Sequence, residues 1–525
     1  MTTPHRRVLT DHHALLQDAL KNQLDPLAGK VVEVLAQRGP LTLKQISNAL
    51  QASPEAQHTS LLSAGRSAKM VRTDLTTSAE TEGLTDPKTV SDLALKEVVT
   101  RLVLHRVVRS CAPERLYRLS VSDAVLLRVL VPLVAQRVER AYGPAGLALF
   151  AVLHQLAVVP WSSAVRLAQQ RHADFADGVA AAAAYMEEDG WVEFVSGPAA
   201  AEAELGHKRP RAAEGAPLSD EHCRLSTFAM MRALLEESLQ HYVAGVAAQE
   251  QPEVLSAVVS VLVAHVPPRA AGPTAGDDYA PLLAPHSEDL SLHSLTQGVR
   301  RRCPAALPEQ VAASVRHLSD GPALVETVAP GVYRLSLPAV AAALHETTCE
   351  RVLFARYGTL GVRMMKLLTR NHFLEDKTLA EEAIATQPKT RELLHAMMRD
   401  GYVALQEVPR GAVFAERAAK SSTFLWTAAP AGTLLASARH VARSLTFALR
   451  RLHHQQRLLE EGGGIIDAPA DGPPRLPSAV GGAATRAPAD PLAHRANAQQ
   501  LWRSTIGYQS SSLSLMRLLL VLDYL

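Results

Sequence analysis

One local pattern recurs four times along this chain of 525 residues. A helix with an apolar stripe stops at Asp-Gly or a similar pair, and a short alternating strand follows. The clearest copies read "RELLHAMMRDGYVALQEVPR" at 391–410 and "AAAAYMEEDGWVEFVSG" at 181–197. Looser copies are "ALKEVVTRLVLHRVVRS" at 94–110, running into "RLYRLS", and "AASVRHLSDGPALVETVAPGVYRLS" at 312–336. A helix stopped by glycine and continued as a hairpin is the closing half of a winged helix. Four such endings predict a mainly α chain with small β-wings, built as tandem winged-helix domains and made for holding partners or nucleic acid.

Composition agrees with small helical cores. The length allows about three to five of them. Aromatic residues are only 4% of the chain, so Leu, Val, Ala and Met must fill the interiors, and these favour helices. The formal charge is +2, from 54 Lys+Arg against 52 Asp+Glu, which is low for a protein that grips duplex DNA along its whole length. DNA contact is therefore expected to be local, weak and non-specific. Cys111, Cys223, Cys303 and Cys349 are far apart and form no CxxC pair, which predicts reduced thiols in an intracellular protein. The apolar tracts at 125–136 and 513–525 are too short or interrupted to span a bilayer, and the first residues show no secretory signal, so no membrane role is expected.

Breakers divide the chain. Residues 1–120 read as a first winged helix, its opening helix split at Pro26, its second helix "LTLKQISNAL" capped by Thr42, and a long polar insertion over 53–90. Residues 121–197 form a second module, led by one helix over 123–142. Residues 198–220 lack apolar periodicity and read as a linker carrying a basic knot at Lys208, Arg209 and Arg211. A third module covers 221–345 and a fourth 346–430. Residues 431–525 then change character. A helix over 433–461, about 40 Å long, precedes a Gly-, Ala- and Pro-rich stretch over roughly 462–492 and a final helix, together an antiparallel coiled-coil hairpin.

No catalytic constellation is present: the chain contains no G-x-x-x-x-G-K-[ST], H-E-x-x-H or G-x-S-x-G. The neighbours His453 and His454, like His12 and His13, point about 100° apart on a helix and chelate poorly. No cofactor and no metal are expected. Two rows of cations are the candidate contact sites. In the third helix of the fourth module, Arg391, His395 and Arg399 fall at i, i+4 and i+8, with Gln387 and Thr390 as further polar readers and Leu393, Leu394, Met397 and Met398 on the core side. In the helix at 433–461, Arg439, Arg443, Arg450, Arg451 and Arg457 occur with no acid before Glu460. Each row suits phosphate or an acidic protein surface, and each also reads as an ordinary solvated face.

The stretch "RYGTLGVRMMKLLTRNHFLEDKTLAEEAIATQPKTRELLHAMMRDGYVALQEVPR" at 356–410 resembles the fourth winged helix of the third-largest subunit of RNA polymerase III, the winged-helix member of that enzyme's initiation heterotrimer. The matching residues are Arg363, Leu374, Glu375, Lys377, Leu393, Leu394, Leu405, Gln406, Glu407 and Pro409. Weaker echoes lie in "LTLKQISNAL", in "LVLHRVV" at 102–108 and in "ERAYGPAGLALFAVLHQLAVV". The resemblance implies a non-catalytic, nuclear polymerase subunit that acts in promoter recruitment, DNA opening and initiation on small non-coding RNA genes. It implies as partners the core polymerase with its largest-subunit clamp, two smaller heterotrimer subunits, a promoter-bound initiation factor and DNA near the transcription bubble. Two rival readings are a free-standing winged-helix DNA-binding regulator and a scaffold subunit of another large complex.

Overall fold

The computed structural model describes residues 15–20, 23–51, 92–111, 115–195, 222–246, 252–269, 282–321, 323–409, 422–428, 430–462 and 491–524. The expected insertion at 53–90, the basic knot at 208–211 and the tract between the last two helices lie outside them. Two compact units divide the chain, Met1–Thr348 with Asp523–Leu525, and Cys349–Leu522.

The first winged helix uses α1 (Pro26–Arg38), α2 (Leu43–Gln51), α3 (Asp92–Leu104), β1 (Val108–Cys111) and β2 (Leu116–Leu119). Pro26 opens α1, where its missing N–H costs nothing, and the Asp25 side chain accepts from Leu27 N. Thr42 and Gln45 cap α2 reciprocally: Thr42 N donates to Gln45 Oε1 at 2.9 Å, and Gln45 N donates to Thr42 Oγ1 at 3.4 Å. Leu41 makes a single bridge to Tyr117, standing where the other modules place a short first strand.

The second module differs from the expected single helix over 123–142. Two helices are present, α4 (Val121–Arg128) and α5 (Val131–Leu156), because Pro132 starts a fresh helix in its first turn. After β3 (Val159–Pro160), α6 (Trp161–Arg171), α7 (Ala176–Glu188) and β4 (Val192–Val195), the sheet closes with β5 (His222–Leu225). Because β5 pairs with both β4 and β3, residues 198–220 join two strands of one sheet. That corrects their reading as a linker between domains. A polar stretch without periodicity looks the same in either place, and only strand pairing separates the two.

The third module follows, with α8 (Thr227–Val246), α9 (Pro252–Ala264), β6 (Leu290–Ser291), α10 (Leu292–Arg302), α11 (Pro308–Asp320), β7 (Val325–Ala329) and β8 (Val332–Leu335). Nine of the ten residues 254–263 of α9 are buried, all but position 256 and with Ser260 among them, so the helix is apolar almost all round. Its one buried hydroxyl, Ser260, donates to Glu236 of α8 at 2.5 Å and accepts from Gln240 at 2.9 Å. Glu236 in turn holds Arg137 of α5 at 2.8 Å.

The fourth module contains the long helix α12 (Leu337–Asn371), β9 (Phe373–Leu374), α13 (Asp376–Glu382), α14 (Gln387–Asp400), β10 (Ala404–Pro409) and β11 (Ser422–Thr427). The boundary between the two compact units falls inside α12. The hairpin helices α15 (Pro430–Gly462) and α16 (Pro491–Tyr524) follow, and they belong to the second unit as far as Leu522. Ala436 of α15 belongs to the same buried cluster as Met364, Leu368, Leu394, Met397, Tyr402 and Trp426, so helix and winged helix share a core. Arg451 Nη1 donates to Tyr508 Oη at 3.1 Å, and Ser504 Oγ to Gln455 Oε1 at 3.1 Å. As residue numbers rise on α15 they fall equally on α16, which is an antiparallel pair. Met516, Leu519 and Leu520 form the buried stripe of α16.

A repeated staple closes modules two and four. Gly143 and Gly358 each break a helix with φ 69° and ψ −169°, a conformation that glycine adopts without strain. The preceding tyrosine folds back over the next turn, and a Cβ on Gly146 or Gly361 would stand 2.3 Å from that tyrosine's Cβ. Tyr142 Oη donates to Asp189 Oδ2 and Tyr357 Oη to Asp400 Oδ2, each at 2.5 Å. Both aspartates end the third helix, immediately before Gly190 or Gly401 in the left-handed region. An aromatic residue then meets the tyrosine edge to face, Trp191 at 6.2 Å and Tyr402 at 5.7 Å. Partial burial alone would raise the Asp400 carboxyl, but hydrogen bonds from Tyr357 and Arg356 hold it below the usual carboxylate range. Tyr357→Phe removes a bond to a charged group and should cost about 1.5–3 kcal/mol. Urea unfolding of the second unit measures this, and an unchanged midpoint would show that Arg356 alone suffices.

The N-terminal unit carries a pH dependence. Burial, then the charge of Arg128, pushes the ring of His105 down to about 3 and that of His154 down to about 4. Unfolded, both rings take a proton near 6.5. Below that pH the unfolded chain binds more protons, so stability is full above about pH 7 and falls as the pH drops toward 4. Guanidinium midpoints at pH 7.5 and 5.5 should therefore differ for this unit, and His154→Gln should flatten the difference. A flat wild-type profile would mean that the rings are hydrated.

Candidate nucleic-acid and partner interface

On α14 the expected reading row is largely committed inside the module. Arg391 Nε pairs with Asp376 at the start of α13, and Gln387 Nε2 donates to the same carboxylate oxygen at 3.2 Å. The pair keeps the Asp376 carboxyl low despite the partial burial that opposes it. His395 lies edge to face against buried Trp426, with centroids 5.4 Å apart. Thr390, expected as a polar reader, is fully buried. Met398, expected on the core side, is exposed, while Leu394 and Met397 are completely covered. Arg399 does reach solvent, 3.9 Å from Asp400.

The motif residues divide by environment. Arg363 Nη1 donates to Ala383 O at 2.8 Å, satisfying the carbonyl at the C-cap of α13. Leu374 pairs with Trp426 in the sheet and packs on the core, and Glu375 is the N-cap residue of α13. Lys377, by contrast, is exposed, as are Leu405, Gln406 and Glu407 on β10. Glu407 accepts from Ser422 Oγ at 2.6 Å across the wing, and Pro409 pairs with Ser422. In register, Leu405 faces Trp426 and Glu407 faces Phe424, so exposed Leu405 and Phe424 continue the core-facing side of the wing outward beyond its buried root. Exposed Ile384 adds a second apolar point in the turn between α13 and α14. This β-branched residue has φ 54°, a costly backbone state that its neighbours must hold. Neither feature was visible in the sequence, because "LQEV" gives no exposure and Ile384 gives no φ.

The cations of α15 make a more continuous surface. At about 100° per residue, Arg439, Arg443, Arg450 and Arg457 fall within a sector about 40° wide, and they extend for about 27 Å along the axis. Arg451 stands off this stripe and reaches Tyr508 on α16. Arg439, Arg443 and Arg450 also interact within the chain. Phe447, 65% exposed, lies beside the stripe, while Val441, Ala442, Leu445 and Leu452 on the other side are buried. Guanidiniums with an open aromatic among them suit an acidic protein face or a phosphate backbone. Lys208, Arg209 and Arg211 lie outside the described residues. Among the described residues no group of three or more His, Cys, Asp or Glu could hold a metal ion, and no helix is long and apolar enough to cross a membrane.

Comparison with known proteins bears on this unit. Residues 349–428 match the family model described as POLR3C, C-terminal winged-helix domain. Similar curated proteins include the DNA-directed RNA polymerase III subunit rpc3 of Aspergillus terreus, 30% identical over 122 residues, which is 23% of this chain and 18% of the relative. The protein of the same name from Ajellomyces capsulatus is 34% identical over 83 residues, 16% of this chain and 12% of the relative. The subunit RPC-3 of Coccidioides immitis is 28% identical over 117 residues, 22% of this chain and 18% of the relative. The matched part thus spans less than a fifth of these relatives' length. The fourth module's staple, Tyr357 with Asp400 and Tyr402, and its wing strands fall within the matched segment. Through its fourth winged helix, this chain is homologous to the rpc3/POLR3C subunit of RNA polymerase III.

Proposed function

We propose that the chain is a non-catalytic subunit of RNA polymerase III, working in the nucleus in promoter recruitment, DNA opening and initiation on small non-coding RNA genes. The observation that carries this reading is the homology of residues 349–428 to the POLR3C C-terminal winged helix. The division of labour within that module supports a docking role. The third helix spends Arg391 and His395 on internal contacts, which leaves few side chains for reading bases, whereas the wing presents Leu405 and Phe424 to a partner. In this reading the wing and the α15 stripe meet the clamp side of the core enzyme. Two smaller subunits and a promoter-bound factor complete the assembly, and DNA contact is weak, salt-sensitive and independent of sequence. Affinity purification of the full chain from nuclear extract, followed by mass spectrometry, should recover the polymerase's largest subunits. Their absence would overturn the assignment.

Reversing the stripe tests the docking face separately. Arg439→Glu, Arg443→Glu and Arg450→Glu together should reduce polymerase recovery about tenfold or more while leaving the circular-dichroism spectrum unchanged, since charge reversal at an interface costs several kcal/mol. Undiminished recovery would leave the stripe a solvated face.

A further inference from the structure

A small chamber in the N-terminal unit is charged in a way that its own residues do not balance. It has a volume of about 20 Å³ and lies among the ends of α3, α4 and α5 and the strand β5. Arg128, only 4% exposed, lines it together with His105, His154, Arg106 and Arg224. The Nε of Arg128 is buried without a hydrogen-bond partner, and no carboxylate among the described residues pairs with this guanidinium. Arg106 and Arg224 share one carboxylate oxygen of Glu193, at 2.6 and 3.1 Å. Three guanidiniums thus stand against a single carboxylate. The histidines supply no compensation. His154 Nε2 lies 2.8 Å from Leu127 O, and burial keeps both rings neutral at pH 7.

A buried charge without a counter-charge is strongly unfavourable, and proteins remove such a cost by pairing the group or by binding an ion. The chamber has room for one sphere about the size of a water molecule, too little for phosphate or a nucleotide. It adjoins a larger cleft of about 350 Å³ with which it shares Arg106 and Arg224. There Arg109 is neutralised by Asp123 at 2.6 Å, so that carboxylate is already engaged and does not offset the chamber's charge. We infer that the Arg128 chamber is a binding site for one small inorganic anion of halide size, which ties the first winged helix to the second. A neutral water would fit the space but leave the charge uncompensated.

The test uses the full chain with chloride as the probe. Thermal unfolding is followed in sodium chloride and in sodium gluconate at equal ionic strength, for the wild type and for Arg128→Met. At chloride about tenfold over its Kd, the wild-type transition should rise by about 2 °C or more relative to gluconate, and the variant should show no such rise. Equal responses in the two proteins would overturn the proposal in favour of a bound water. A matching rise with sodium acetate at the same concentration would overturn it in favour of a carboxylate site. Should Arg128→Met not fold, the chloride-35 line width of the wild type decides. Saturable broadening that bromide reverses supports the site, and purely linear broadening sinks it.

Discussion

The bond from a tyrosine hydroxyl to the aspartate that ends the third helix sets the geometry of modules two and four. It joins the first turn of helix one to the last turn of helix three, the two ends that the wing must leave at a defined angle. The aspartate lies directly before a left-handed glycine, so holding its carboxylate also holds the point where helix becomes strand. The tyrosine can reach it because the glycine at its own C-terminal side kinks the helix, and because a second glycine one turn on leaves its ring space. In the fourth module Arg356 adds two donors to the same carboxylate oxygen, Nε at 2.8 Å and Nη2 at 2.6 Å. Its remaining nitrogen, Nη1, reaches the ring of His440 on α15 at 3.1 Å. One guanidinium thereby links the closing turn of the winged helix to the first helix of the hairpin. Module two has Ala141 at the equivalent place and gains no such link.

That construction explains where the fourth module can offer contacts. Its third helix is tied at both ends, by Arg391 and Gln387 to Asp376 and by Asp400 to Tyr357 and Arg356. Its middle lies on Trp426 through His395. A helix so occupied has few free donors for base edges. The unsatisfied apolar surface lies instead on the wing and in the Ile384 turn, and the cations lie on α15. Under the proposed function, such surfaces would meet protein or phosphate, and specificity would come from the assembly and not from one helix.

Much of this architecture is written in local sequence. Asp-Gly stops, alternating strands and the Pro26 and Thr42 signals reflect backbone rules that act over a few residues, and the four helix-to-hairpin endings follow from them. The long apolar stripe of α15 likewise predicts a paired helix, and the motif at 356–410 carries the similarity to the POLR3C winged helix. Other features depend on partners distant in the chain. That the strands on either side of residues 198–220 belong to one sheet is decided by β5 pairing with β3 and β4. Whether a cation is available is decided by a carboxylate elsewhere, as Asp376 decides for Arg391. The burial of Thr390 and the exposure of Met398 turn on which face of α14 meets the core of Leu394, Met397, Tyr402 and Trp426, which periodicity alone does not fix. The uncompensated charge at Arg128 arises only when four elements meet, because burial, unlike helix propensity, is a property of the whole packed unit.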